Sequence, residues 1–190
     1  MLEQLYDSLV NAPVVKRGDY SYFIHPVSDG VPLLEPSLLE EISECILCYA
    51  DMDVDRIVTV EAMGIPVATC LSLKTGIPLS IVRKRKYDLA GEIELSQSTG
   101  YSKGKLYVNG ISEGDRVLIV DDVISTGGTL LVLVKALEDA GIKISDVVAV
   151  IERGTGSNDL RDAGIDVKTL VRVEVDDDRV VVEEVYSDNE

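Results

Sequence analysis

Residues 117–129 read VLIVDDVISTGGT, and the succession of residue types in that stretch decides the fold. Val117–Val120 are all branched and apolar, the mark of a strand buried on both faces. Two acids follow, Asp121 and Asp122, then Val123 and Ile124, then Ser125, Thr126, Gly127, Gly128 and Thr129, where a helix is predicted over Thr129–Ala140 with Gly141 as its cap. Small residues at a helix N-terminus offer backbone N–H donors and the positive end of the helix dipole to a phosphate. Adjacent carboxylates at a strand's end accept hydrogen bonds from vicinal ribose hydroxyls. The stretch therefore suits a sugar phosphate. It lacks the lysine of the P-loop pattern GxxxxGK[ST], and acids stand where a GxGxxG dinucleotide fingerprint needs glycine. A simple N-cap turn would account for Ser125 and Thr126 but not for the acid pair facing a binding edge.

The same strand-to-helix rhythm extends outward. Upstream, Arg56–Val60 reads as a buried strand, Gly64–Thr75 as a helix ended by Gly76, and Leu79–Val82 as a second strand. Downstream, Val147–Ile151 is a further strand. Earlier still, residues 2–11 form a short helix stopped by Asn11 and Pro13, Tyr20–Ile24 carries a brief strand signal, and Pro36 opens a helix to Tyr49. Alternating strands and helices predict an α/β fold with a central parallel sheet, right-handed crossovers and ligands at the carboxyl ends of the strands. The tail from Arg172 to Glu190 is strand-like at Val173–Val175 and Val180–Val185, with Asp176–Asp178 as the turn, and predicts an acidic edge hairpin that resists edge-to-edge pairing.

Composition agrees with one such domain spanning 1–190. The chain is 46% hydrophobic but only 5% aromatic, so branched aliphatics supply the core. A formal charge of -16 excludes the basic surface that nucleic acid or an anionic membrane would need. The N-terminal residues lack the basic start and apolar run of a signal peptide, and no apolar run reaches the roughly 18 residues of a membrane span, so a cytoplasmic protein is expected. Cys45 and Cys48 form a CxxC without a second ligand pair, which reads as ordinary helix packing, as does Cys70.

Two further stretches carry chemistry. Glu61-Ala62-Met63-Gly64 is a second strand-to-helix turn whose backbone donors can meet another anion. Arg83-Lys84-Arg85-Lys86 concentrates cations at the end of a strand; it is either a solvated face or an anion-binding rim. Residues 87–105 are long, polar and rich in Ser and Gly, which fits a functional lid or, alternatively, a solvated hairpin.

The 117–129 signature, with its apolar strand, acid pair, and Thr-Gly run into a helix, resembles that of the type I phosphoribosyltransferases. The likeness extends over roughly residues 12–156 and is strongest to the archaeal hypoxanthine/guanine members, whose motif is similar to that of adenine phosphoribosyltransferases. The resemblance implies a parallel sheet with a small hood and a mobile loop. It implies that Asp121 and Asp122 hold the ribose hydroxyls of 5-phosphoribosyl-1-pyrophosphate while Ser125 through Thr129 wrap its 5′-phosphate. Glu61, Ala62, Met63 and Gly64 become the pyrophosphate loop; adenine-type enzymes often have Arg at the place of Met63, so Arg83 and Lys84 are the expected cations. Residues 87–105 become the catalytic lid, with Ser98, Thr99, Tyr101, Ser102 and Lys103 as contacts and Tyr101 and Lys103 in catalytic roles. The acid that mammalian-type hypoxanthine enzymes place near the purine is Ser125 here, which leaves the general base unassigned.

For the purine, either Arg153 donates to a 6-oxo group or Glu152 instead accepts from adenine's amino group, with Tyr22, Phe23 and Ile24 stacking on or walling the ring. His25, the sole histidine, reads as a loop or wall residue. Mg²⁺ is the implied cofactor, held mainly by substrate and water without a dedicated protein cage, and a homodimer is the implied assembly. The expected reaction joins hypoxanthine or guanine to the phosphoribosyl group with loss of pyrophosphate. Adenine or xanthine as acceptor, and a ligand-sensing regulator with the same fold, are the alternatives; the short N-terminus leaves no room for a helix-turn-helix.

Overall fold

A computed structural model describes residues 2–18, 20–99, 102–176 and 178–186, with Arg17, Tyr20, residues 96–99, Ser102 and Lys103 described by backbone alone. The chain opens with α1 (Glu3–Val10), whose first amides have no cap of their own. Instead Glu41 lends its carboxylate, accepting from the N–H groups of Gln4 at 3.0 Å and Leu5 at 2.9 Å, which satisfies orphan donors and complements the helix dipole. A small antiparallel hairpin follows, β1 (Val14–Arg17) with β2 (Tyr20–Phe23), then the single turn α2 (Pro26–Asp29) and the long helix α3 (Pro36–Tyr49) that holds Glu41.

The next elements are β3 (Arg56–Val60), α4 (Gly64–Thr75) and β4 (Leu79–Val82), then a second hairpin of β5 (Ile93–Thr99) and β6 (Ser102–Val108). The chain ends with β7 (Arg116–Ile124), α5 (Gly128–Asp139), β8 (Lys143–Arg153), the short α6 (Asn158–Asp162), β9 (Lys168–Asp176) and β10 (Arg179–Val185). Six strands form the central sheet in the order β10-β9-β8-β7-β3-β4, parallel except for β10.

Both faces of this sheet are covered, as its unbroken apolar strands require. Leu118 and Val120 of β7 join the cluster containing Val67, Ala68 and Leu71 of α4. Val117 and Ile119 join the opposite cluster with Leu130, Leu133 and Leu137 of α5. Burying each such side chain is worth about 1.5–3 kcal/mol, so a one-residue slip of β7, which would exchange the two sets, is strongly disfavoured.

Three expectations need amendment. β7 runs through Asp121 and Asp122 to Ile124, because β8 continues to pair with it at Asp121↔Ala149, Val123↔Ile151 and Ile124↔Glu152. Its other neighbour, β3, stops pairing at Val58↔Ile119. From there the two strands part, and the acids sit on the open side of the parting. The 87–105 stretch takes the form of the hairpin alternative, but its base is anchored rather than solvated: Glu92 accepts from the N–H groups of Tyr87 and Asp88 and from Asn109, fixing a turn, and Leu95, Leu106 and Val108 bury the base of the β5–β6 hairpin in the cluster of α5. The C-terminal hairpin begins at Lys168 rather than Arg172, since β9 first lies along β8; its turn residue Asp177 and residues 187–190 lie outside the described residues. Cys45 is buried in α3 and Cys48 exposed; no group of residues that could hold a metal ion is found among the described residues. Among those residues no helix is long and apolar enough to cross a membrane.

Candidate active site

The parting of β3 and β7 opens a cavity of about 190 Å³ lined by residues 121–130 together with Val60 and Glu61. The phosphate loop predicted from the sequence is therefore one continuous wall. Gly127 stands at the N-cap of α5 with φ 68°, left-handed backbone that favours glycine. A Cβ there would lie 2.7 Å from the Gly156 carbonyl oxygen, so the position has no room for a side chain. The first-turn amides of α5 lack intrahelical acceptors and give the loop its anion-binding character.

Asp121 and Asp122 are half-buried neighbours, and the Asp122 N–H donates to Asp121 Oδ1 at 3.1 Å. Burial, and then the charge of Asp122, push Asp121 well above the ordinary carboxylate range. Burial likewise lifts Asp122 to about 6. Gly64 accounts for the closeness of the second turn to this pair: a Cβ on it would fall 2.2 Å from Thr59 Oγ1 and 2.9 Å from Asp121 Oδ1. Thr59 Oγ1 is buried with no hydrogen-bond partner among the described residues.

On the pyrophosphate side Glu61 lines the cavity and holds Arg83 and the Lys84 backbone beside it. Glu61 Oε2 pairs with Arg83 Nε at 2.7 Å, and Glu61 Oε1 accepts from the Lys84 backbone N–H at 2.5 Å. The Arg83 contact is an ion pair without hydrogen-bond alignment, because Nε is buried and poorly directed. The pairing follows from register: Val60 lies opposite Val82, so the residues just beyond them meet. Met63 turns its thioether toward Gly30 at the end of α2, 3.5 Å from where a Cβ would stand, and Ala62 is not among the lining residues of the cavity.

A second cavity, also about 190 Å³, shares Asp122, Val123 and Ser125 with the first and is completed by Tyr22, Phe23, Ser28 and Arg153. Tyr22, Phe23 and Arg153 are thus brought together as expected, and Tyr22 and Phe23 stack at 6.2 Å. Arg153 Nη2 donates to the Ser21 carbonyl at 2.5 Å, tying the hairpin to the sheet, and burial lowers its pKa against the opposing pull of Glu174. Ile24 does not line this cavity; its N–H is spent on Pro13 O. Glu152 does not reach it either, because successive residues of a strand face opposite sides. Its carboxylate is buried behind the sheet, accepting from the N–H and hydroxyl of Ser157.

Ser28 was not foreseen. Its hydroxyl donates to Asp29 Oδ2 at 2.6 Å, and Asp29 also accepts from Tyr22 OH at 2.7 Å and from the His25 N–H at 3.0 Å. Burial favours a higher pKa for Asp29, but the hydrogen bonds from Ser28, Tyr22 and His25 outweigh it and hold the carboxyl below its usual value. His25 is fully buried and neutral, its pKa lowered to about 4 by burial with only partial compensation from Asp29. Nδ1 accepts from the Val27 N–H, so Nε2 carries the proton and donates to Ser8 Oγ at 2.9 Å. Both ring nitrogens are engaged, so His25 is a helix cap rather than a base. Of the expected lid contacts, Tyr101 lies outside the described residues, and Ser98, Thr99, Ser102 and Lys103 are described only as backbone of the hairpin.

Comparison with known proteins agrees with this geometry. The family model described as phosphoribosyl transferase domain matches residues 37–188. The chain is 64% identical over 188 residues to a hypoxanthine/guanine phosphoribosyltransferase of Methanosarcina acetivorans, covering 99% of this chain and 100% of that protein. It is 58% identical over 179 residues to a protein of the same name from Methanothermococcus okinawensis, covering 94% and 98%. Among solved structures, an adenine phosphoribosyltransferase of Thermoanaerobacter pseudethanolicus matches with a TM-score of 0.72 at 23% identity, covering 90% of this chain and 99% of that one, a likeness of fold.

Proposed function

Because the chain belongs to the phosphoribosyl transferase domain family, we propose that it is a purine-salvage enzyme joining hypoxanthine or guanine to the phosphoribosyl group of 5-phosphoribosyl-1-pyrophosphate. The relatives of that name match it over nearly their whole length. One observation carries the reading. A single edge, residues 121–129, lines the phosphate cavity, and three of its residues, Asp122, Val123 and Ser125, also line the neighbouring cavity under Tyr22 and Phe23. A ribose held at the acid pair has its 5′-phosphate on one side and a planar base on the other.

In this reading the acid pair accepts hydrogen bonds from the ribose hydroxyls and the loop amides at Gly127–Thr129 hold the 5′-phosphate. The purine nitrogen, giving up its proton to solvent or to the departing pyrophosphate, forms its bond to the anomeric carbon as the bond to pyrophosphate breaks, and pyrophosphate departs along the Glu61–Gly64 turn. Arg83 helps to neutralise the leaving charge by dividing its guanidinium between Glu61 and the ligand. The 87–105 segment closes over the reactants, keeping out the water that would compete with the purine. The hard carboxylate oxygens of Asp121 and Asp122 fit magnesium, which binds through one or two carboxylates plus substrate oxygens. When bound, the ion supplies neutralisation of pyrophosphate charge.

The test is Asp121→Asn combined with Asp122→Asn. Charge-assisted hydrogen bonds are worth about 1.5–3 kcal/mol each, so binding of phosphoribosyl pyrophosphate should weaken at least about tenfold per site, with circular dichroism and melting still those of a folded protein. Unchanged binding in the double variant would remove the ribose from this edge.

A further inference from the structure

Glu152 is 1% exposed and belongs to neither cavity of the proposed reaction, yet its contacts lead directly to the phosphate loop. We infer that the buried carboxylate of Glu152 is a positioning residue for the 5′-phosphate loop, acting through the turn of residues 154–157. The inference rests on the phosphoribosyl pyrophosphate reading only for the identity of the ligand.

Glu152 is the penultimate residue of β8, and the chain returns to it five residues later. Oε1 accepts from the Ser157 N–H at 3.0 Å and from the Ser157 hydroxyl; Oε2 lies 3.5 Å from both Thr169 Oγ1 and Arg161 Nη2. A carboxylate buried this deeply is retained only when hydrogen-bonded and compensated, and here the compensation closes the turn between β8 and α6 into a fixed shape. That turn is the surface on which the phosphate loop rests. Gly156 presses its backbone against Ile124, leaving 2.5 Å between a would-be Cβ and the Ile124 carbonyl oxygen. Gly127 in turn presses against Gly156, with 2.7 Å between its would-be Cβ and the Gly156 carbonyl oxygen, and against Leu160 of α6 at 3.0 Å. The Gly156–Ile124 and Gly127–Gly156 contacts are backbone on backbone, so a shift of Gly156 transmits to Gly127 directly, while Leu160 meets Gly127 through its side chain. Gly127 is the N-cap of α5, and its placement fixes where the loop amides meet the phosphate.

The experiment compares Glu152→Ala, Glu152→Gln and Ser157→Ala in the full-length protein. Equilibrium binding is measured for ribose 5-phosphate and for pyrophosphate with magnesium, and amide hydrogen exchange is followed at Gly127–Leu130. Removing the carboxylate should weaken ribose 5-phosphate about tenfold while leaving pyrophosphate within about twofold, since the Glu61–Gly64 turn does not rest on this brace. Exchange at Gly127–Leu130 should speed up. Glu152→Gln keeps an oxygen that accepts from Ser157 and an amide that donates to Thr169, and should restore both readouts. If Glu152→Ala does not fold, Ser157→Ala, which deletes one hydroxyl, carries the test with a loss of about threefold. Equal weakening of both ligands, or unaltered exchange at Gly127–Leu130 in the Ala variants, overturns the inference. Wild-type protein that binds neither ligand would sink the proposed function instead, while the exchange comparison would still decide the brace.

Discussion

Asp121 and Asp122 retain protons in the folded chain that an unfolded chain would already have lost. Their stabilising contribution is full below the ordinary value of 3.8; for Asp122 it is lost as pH rises through about 6, and for Asp121, held well above the ordinary range by burial and then by the charge of Asp122, as pH rises through its own raised value. His25 has the opposite sign: its folded value of about 4 lies below the ordinary 6.5, so its contribution is present above pH 6.5 and lost as pH falls toward 4. Between pH 4 and 6 the two slopes oppose. The Asp121→Asn, Asp122→Asn protein should therefore melt above wild type at pH 7 and lose stability more steeply on acidification to pH 4, in melts at matched ionic strength. A double variant less stable than wild type at pH 7 would contradict the raised carboxyls. For base choice, Arg153→Ala should lower kcat/KM for hypoxanthine and guanine together by about 1–3 kcal/mol of transition-state stabilisation, with binding of phosphoribosyl pyrophosphate nearly unmoved. If Arg153 serves only to hold Ser21, the variant loses thermal stability while the hypoxanthine-to-adenine ratio stays the same. The acid pair and the loop to Thr129 were legible in the sequence because their chemistry is local. The contacts of Arg83 and Glu152 were not, since each is set by a partner elsewhere in the fold, Glu61 through strand register and Ser157 through a returning turn. Ser28 is an ordinary serine until α2 brings it to the cavity that Asp122 also lines.

At the scale of elements, β3, β4, α3 and α4 keep the bounds their apolar runs and flanking Pro and Gly residues predict. β7 and β8 outgrow theirs because ladder pairing does not require apolar side chains, and polar residues such as Asp121 and Glu152 extend a strand wherever a neighbour continues. β1, α2 and α6 are too short for periodicity to mark them. The β5–β6 hairpin was open to a lid reading as well as a hairpin one because only its base is apolar; the rest of both strands is Ser, Gln, Thr, Lys and Gly. This division predicts two behaviours within one hairpin. In the free protein, protease should cut within residues 96–103 but spare Ile93–Leu95 and Leu106–Val108. A substrate analogue with pyrophosphate and magnesium should then protect 96–103. Equal cleavage with and without those ligands would leave a solvated hairpin in place of a lid.

For the whole molecule, a charge of -16 opposes the approach of polyanionic substrates, so in the proposed reaction affinity has to come from close-range groups such as the α5 amides and Arg83. Fold class follows from composition and rhythm, and the family from the 117–129 signature, whereas the proposed base reading rests on a cavity assembled from β2, α2, β7 and β8. The most direct measurement is turnover of the intact enzyme with phosphoribosyl pyrophosphate, magnesium and each of hypoxanthine, guanine, adenine and xanthine, with nucleotide products identified by chromatography. The account predicts inosine and guanosine monophosphates with pyrophosphate released in equal amount, and kcat/KM for hypoxanthine at least about tenfold above adenine, as expected when a site's polar group goes unpaired with the wrong base. Preference for adenine would contradict the base assignment, and no product with any of the four would contradict the enzyme itself.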